Sequence, residues 1–436
     1  MPDSSSTKPE DAWIANLDYS SFAKEVSVLG KELRSNTGND DVEHLYKLVQ
    51  WRNIAAFVGL TTIWMTPNPI TIIALSTWTY ASWSMIAHHT CHGGYNRVDA
   101  GRFRSRGFAL GLSNRIVDWL DWMQPEAWNV EHNRLHHYSL NEGKDPDLVQ
   151  RNLDDLRESK LPIALKYMNV FFLSTIWKWF YYAPNTYKEL RINEILRGQE
   201  SNNNGNTNNN KQPEKLPENF DREQAATVVA LLDPSNTELR KVVKPHKFFL
   251  EVLGPMFIAR YVAIPSLLYL LPGGFGGPTI ATHALLNLFA AELLTNVHAF
   301  VTIVTNHAGE DLYTFDDAVK PNTGSFYVRQ IIGSTNYAMG TDIIDFSHGF
   351  LNYQIEHHVW PDLSMLQYQI GAPKLKLICQ KYGVPYVQEN VLERLRKTVD
   401  IMIGRTTMRK FPKEYEPIRD KTVKVIWSST NGAIDE

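Results

Sequence analysis

Two pairs of apolar segments, each joined by a short turn without Lys or Arg, restrict this chain's architecture more than any other feature. The first pair runs from about Trp51 to Met65 and from Ile70 to Ala87, with Thr66–Pro69 (TPNP) between them. The second runs from Phe248 to Leu271 and from Thr279 to Thr305, separated by Pro272–Pro278 (PGGFGGP). A helix that crosses the hydrocarbon of a bilayer needs about 20 predominantly apolar residues. The first segment is marginal by that measure. The Pro- and Gly-rich turns break helices, so each pair reads as a helical hairpin. The expected fold is therefore all-α and integral to a membrane, with four transmembrane helices at about 50–66, 70–90, 248–271 and 279–305. The competing reading, buried helices of a soluble protein, is disfavoured by segment length. Nearly all basic residues lie in the N-terminal, middle and C-terminal regions. The positive-inside bias places those regions in the cytoplasm and both turns on the other side.

The remaining chain divides by composition. Residues 1–45 form a polar N-terminal segment with a short helix near Phe22–Leu33, residues 46–370 the main domain, and residues 371–436 a cytoplasmic C-terminal region. The Asn-rich tract Ser201–Asn210 has too little apolar surface to fold, so a disordered insert is expected at about 198–222. Ile163–Tyr182 is aromatic but carries Lys166 and Lys178. If it spanned the membrane, it would separate the histidine clusters described below, so it reads as an interfacial helix. The net charge of −3 gives no basic field for nucleic acid. Two cysteines, Cys91 and Cys379, supply neither a disulfide framework nor a four-Cys zinc site, and fit a reducing compartment. The N-terminus lacks the apolar core of a signal peptide, and Asp3, Glu10 and Asp11 argue against a transit peptide.

The histidines are clustered. His88 and His92 in HHTCH are spaced i, i+4, which puts both imidazoles on one helical face. His132 and His136 in HNRLHH share a face, while His137 is rotated about 100° away and can reach a second metal. Gln354, His357 and His358 in QIEHH stand at i, i+3 and i+4. His307 lies in TNH at the end of the fourth apolar segment. All fall at one membrane face, whereas His44, His246, His283 and His348 read as ordinary surface or hydrogen-bonded residues. Eight converging histidines exceed the four ligands of one zinc ion. The chain has no HExxH zinc-protease motif and almost no cysteine for soft metals. Two irons activating O2 use all the ligands.

With these motifs the chain resembles the membrane fatty-acid desaturases, which carry three histidine boxes of these forms. The flanks HHYSLNEGKDPD (His136–Asp147), FVTIVTNHAGED (Phe300–Asp311) and FLNYQIEHHVWPDL (Phe350–Leu363) are similar as well, and the resemblance covers about residues 50–370. It implies a cytoplasmic helical cap holding a di-metal centre, with His88, His92, His132, His136, His137, His307, His357 and His358 as iron ligands. Gln354, where many members have histidine, and His89 are further candidates. Asp147, Asn352 and Glu356 are candidate acceptors for imidazole N–H groups. The implied activity is O2-dependent insertion of a double bond into a fatty acyl chain, at an endoplasmic reticulum membrane, with termini and metal site cytoplasmic. Glu292, Asn296 and His298 are candidates for a substrate tunnel or for interhelical hydrogen bonds. Gln354 resembles the box of front-end desaturases, many of which carry a fused haem domain with an HPGG motif. The only PGG here, Pro272–Gly274, follows Leu271. Electrons are therefore expected from a separate electron-transfer protein, a cytochrome b5 or a ferredoxin. Rivals are a lipid hydroxylase, ketolase or acetylenase on the same scaffold, and a zinc-dependent membrane hydrolase.

Overall fold

The structure is a computed structural model that describes residues 11–203, 214–272 and 275–415. Helix α1 (Tyr19–Asn36) starts where Asp18 accepts the backbone N–H groups of Ser20 and Ser21. Its buried residues Phe22, Val26, Leu29 and Leu33 recur at helical spacing and form one apolar stripe. Helices α2 (Asn39–Thr62) and α3 (Pro69–Tyr80) form the first hairpin. Asn68 caps α3 and Pro69 starts it, which explains the abrupt turn. The hairpin is close: a Cβ on Gly59 would stand 2.8 Å from Leu75 Cδ2.

Helix α3 then changes period. Ala81–Ala87 is a π-helical stretch, followed by a short α-helical turn, His88–Cys91. Regular α-helix therefore covers 12 residues of this segment. The second hairpin consists of α4 (Pro245–Tyr269) and α5 (Pro278–Ile303). Among the described residues, two helices are long and apolar enough to cross a membrane, Pro245–Tyr269 and Pro278–Asn306. The first is interrupted by π stretches at Phe248–Leu253 and Ile258–Ala263 that flank Pro255, where proline removes a backbone donor. Both hairpins turn large apolar residues outward, including Ile54, Phe57, Ile70 and Ile73 in the first and Leu250, Phe257, Leu267 and Phe289 in the second.

Helix α6 (Ile163–Trp177), expected to be interfacial, packs on α5: Trp177 Nε1 donates to the Asn296 carbonyl at 3.0 Å, and the Lys178 N–H to Asn296 Oδ1 at 3.3 Å. Met168, Phe171 and Phe172 point outward, while Lys178 is fully buried. Its ammonium lies 2.8 Å from Asp121 and 3.2 Å from Glu292. Glu292 also binds Arg260 at 2.6 Å and accepts from Trp122 Nε1 at 2.8 Å. These buried charges persist because each is paired. Of the two expectations for Glu292 and Asn296, this network takes the interhelical one and sets the tunnel aside, since Asn296 Nδ2 donates to Glu292 Oε1 at 2.7 Å. His298 is likewise engaged, with Nε2 2.7 Å from the Ser347 carbonyl and its ring stacked on Tyr80. All three fasten helices together.

The expected regional boundaries also shift. Residue 370 falls within α7 (Met365–Tyr382), against which α1 packs. Ile14, Phe22, Met402 and Phe411 belong to the same buried core as the histidine-bearing segments. Within the expected insert at 198–222, helix α8 (Ala183–Asn203) enters from one side, and Leu216 and Phe220 pack on the core from the other. Both flanks carry apolar residues that the Asn-rich centre lacks. Asn204–Asn210 lie outside the described residues.

Candidate metal centre

Each histidine box sits where regular α-helix gives way. His88 and His92 follow directly on the π stretch of α3. The second box occupies another π-helical stretch, Glu131–His136. There the His137 N–H donates to the His132 carbonyl at 3.2 Å, an i to i+5 bond. That wider turn brings His137 Nε2 within 3.3 Å of His132 Nε2, although α-helical spacing would set them apart. The third box forms a short helix, Gln354–Val359, entered through Phe350 at φ +59°. His307 follows the 3-10 turn that ends α5.

The eight predicted histidines meet. One nitrogen each of His88, His92, His132 and His357 lies within 4.8 Å of the others, and His136, His307 and His358 form a second such set. His137 stands between them, with its ring 4.5 Å from that of His92 and 4.3 Å from that of His358. His89 is outside both sets; its Nδ1 lies 2.7 Å from the Met85 carbonyl. His44, His283 and His348 are engaged elsewhere, with Asp342, the Trp64 carbonyl and the Ile344 carbonyl.

Four of the outer ring nitrogens are anchored. Nδ1 lies 2.9 Å from Asp145 Oδ1 in His136, 3.2 Å from the Gly333 carbonyl in His307, 3.2 Å from the Tyr368 hydroxyl in His357, and 3.1 Å from Gln330 Oε1 in His358. Such anchors fix the tautomer and turn the Nε2 lone pair inward. Inside, His88 Nε2 faces His357 Nε2 at 3.0 Å and His137 Nε2 faces His132 Nε2 at 3.3 Å. His92 Nε2 and His358 Nε2 are buried without a partner, as are the outer Nδ1 atoms of His132 and His137. Burial, then the neighbouring imidazoles, holds His132, His137, His357 and His358 well below the usual histidine range, and His307 is lowered to about 3. In His136 burial is outweighed by the Asp145 carboxylate, and its pKa rises. Neutral imidazoles with converging, unsatisfied lone pairs are the donor set that two closely spaced metal ions require.

Several assigned neighbours need correction. Asp145, not Asp147, holds His136; Asp147 Oδ2 is 3.9 Å away. The sequence offers two aspartates around Pro146, and only the turn decides between them. Asp145 is pinned by the N–H groups of Asn141 and Asp147 at 2.7 and 2.9 Å. Asp147 instead lies close enough to His132 and His136 to complete a third potential ligand set, and burial pushes its carboxyl up to about 6. Glu356 points away from the imidazoles. It accepts from Asn336 Nδ2 and the Tyr386 hydroxyl, both at 2.8 Å, and burial pushes it up to about 7. Asn352 donates to the Ala338 carbonyl at 3.0 Å and to Asp345 at 2.6 Å. On the box-three helix the residues beside the ligands face outward, which spacing alone implies for Glu356. Gln330 has no comparable signal beyond being a polar residue in the apolar run FYVRQII. Gln354 adjoins the second set: its amide nitrogen is 2.9 Å from His307 Nε2, and its amide oxygen is buried without a partner.

A cavity of about 200 Å³ reaches this centre. His88, His132, His136, His307 and Gln354 contribute to its lining, with Phe300 and Ile303 from α5, Val304 just beyond it, and Val170, Leu173 and Trp177 from α6. None of Glu292, Asn296 and His298 lines it. Replacing Asp145 by Asn should weaken metal affinity roughly 10- to 100-fold, the usual cost of losing a ligand's hydrogen-bond partner. Competition titration with a chelator measures this, and affinity equal to the parent protein would remove Asp145 from that role.

The sequence profile described as "Fatty acid desaturase" matches residues 62–205 and 219–390. The chain is similar to the "NADPH-dependent stearoyl-CoA 9-desaturase" of Mycobacterium tuberculosis, at 22% identity over 403 residues, 89% of this chain and 80% of that protein. It is 32% identical to the "Delta(8)-fatty-acid desaturase" of Euglena gracilis over 160 residues, 37% of this chain and 34% of the other. The "Delta(5) fatty acid desaturase A" of Dictyostelium discoideum is 23% identical over 118 residues, 26% of this chain and 25% of its own. No solved structure matches. A profile match over most of the chain, together with the histidine sets at the cavity, establishes that this protein belongs to the fatty acid desaturase family.

Proposed function

We propose that this desaturase uses two iron ions and O2 to introduce a double bond into a fatty acyl chain lying in the cavity between α5 and α6. The observation that carries this reading is the pair of buried histidine sets opening onto an apolar cavity. When bound, the irons would supply the oxidising power, drawn from O2, that removes one hydrogen from each of two neighbouring carbons. His88, His92, His132 and His357 would hold one ion, His136, His307 and His358 the other, and His137 stands where it serves either. Gln354 fits as a weak amide-oxygen ligand beside His307, or as the residue that orients a ligand water there. Phe300, Ile303 and Trp177 hold the acyl chain by apolar contact and keep bulk water from the reacting carbons. The outward apolar residues of both hairpins support four spans, with the histidine ends and both termini cytoplasmic, in an endoplasmic reticulum membrane.

Metal analysis and a lipid profile test this together. The membrane-extracted protein should carry about two irons per chain, because two sets of imidazole ligands suit two such ions. Yeast expressing it should accumulate an acyl product lighter by two hydrogens. A product heavier by one oxygen would identify a hydroxylase on the same scaffold. Zinc as the sole metal would overturn the proposal.

A further inference from the structure

The chain is acidic overall, with net charge −3, yet residues 97–106 (RVDAGRFRSR) hold four arginines and one aspartate. This loop begins five residues after His92, which is less enclosed than the other seven clustered histidines. The loop is anchored: Phe103 and Phe108 are buried, and Asn96 clamps Ser105 through Nδ2 to Oγ at 2.8 Å and Ser105 N–H to Oδ1 at 3.0 Å. The side chains of Arg97, Arg102 and Arg104 are 41%, 56% and 54% exposed. Their counter-charges are too few. Asp362 is shared by Arg97 and Arg34, at 2.8 and 2.7 Å. Arg102 is paired with Asp118, whose charge also acts on Arg52. Arg104 meets Asp99 at 3.6 Å. Even with Glu126, which accepts the Gly111 N–H at the loop's end, six arginines face four carboxylates. Beside this surface, Tyr138 is 42% exposed and follows directly on His137.

We propose that this arginine loop is the docking surface for an acidic one-electron carrier protein, which delivers electrons to the metal centre past His92 and Tyr138. The inference rests on the O2-dependent reading above. In that reaction O2 accepts four electrons and four protons and becomes two waters. Two electrons and two protons leave the acyl chain as its two C–H bonds break and the double bond forms. The other two electrons come from two reduced carriers, each oxidised once, with two protons from solvent. A positive surface beside the least enclosed ligand orients an acidic partner and raises its rate of encounter.

The test uses the full-length protein in nanodiscs and reduced cytochrome b5 as the acidic carrier. The double variant Arg104→Glu with Arg106→Glu should raise the Kd for cytochrome b5 by about tenfold or more at low salt, as expected when rim charges are reversed. The difference should shrink at 0.5 M salt, on the order of a 4 Å screening length. Iron content and dithionite-driven single-turnover desaturation should match the parent. Unchanged cytochrome b5 affinity with intact dithionite-driven desaturation would overturn the docking surface alone. Loss of binding to phosphatidylserine vesicles, with cytochrome b5 affinity unchanged, would reassign the loop to the membrane surface. Failure of the parent protein to desaturate with dithionite and O2 would instead strike the underlying reading, and the docking proposal with it.

Discussion

Replacing His136 or His358 by Ala should abolish desaturation while membrane insertion and expression persist. Both residues belong to the set that also contains His307. Their outer nitrogens are held by Asp145 and Gln330, so their inner nitrogens are committed to the centre. Loss of either leaves two histidines and Gln354 at that position, too few strong donors to retain an ion. Iron content should fall with activity, from about two ions per chain toward one. Glu356→Gln is the informative comparison. Glu356 lies two residues from His358 but faces Asn336 and Tyr386, so the variant should keep both iron and activity. Activity in either alanine variant, read as unsaturated product in yeast lipids, would refute the ligand assignment.

The second large effect concerns stability. Lys178→Met should destabilise the fold by about 3–5 kcal/mol, the usual cost of removing one partner from a buried ion pair. Lys178 and Asp121 are both fully buried, and their contact links the π-helical turn Lys178–Tyr182 after α6 to the segment ahead of the second histidine box. Without the ammonium, Asp121 loses its only ion pair among the described residues, while Glu292 keeps Arg260, Trp122 and Asn296. The double variant Lys178→Met with Asp121→Asn should recover part of the loss, because the uncompensated charge is gone. Thermal unfolding in detergent provides the measurement. A single variant as stable as the parent would mean that the network contributes nothing to stability.

The paired apolar helices and the histidine clusters were legible in the sequence. Apolar length and the Pro- and Gly-rich turns marked the helix pairs, because helix breakers and hydrophobicity act locally. The histidine boxes were legible because one helical turn places i and i+4 side chains together whatever surrounds them. Family resemblance added His307, which has no cluster of its own. Tertiary structure decided the rest. The π-helical turn at Glu131–His136 carried His137 back beside His132, a consequence of one i to i+5 hydrogen bond that α-helical spacing does not anticipate. The choice of Asp145 over Asp147 depended on which carboxylate the turn aims inward. Glu292 and Asn296 suited either a tunnel or interhelical hydrogen bonds until Lys178, just after α6, was found against them. In each case the deciding partner lies on another segment or in a departure from regular helix. Local periodicity names the chemical groups, and long-range packing chooses what each one meets.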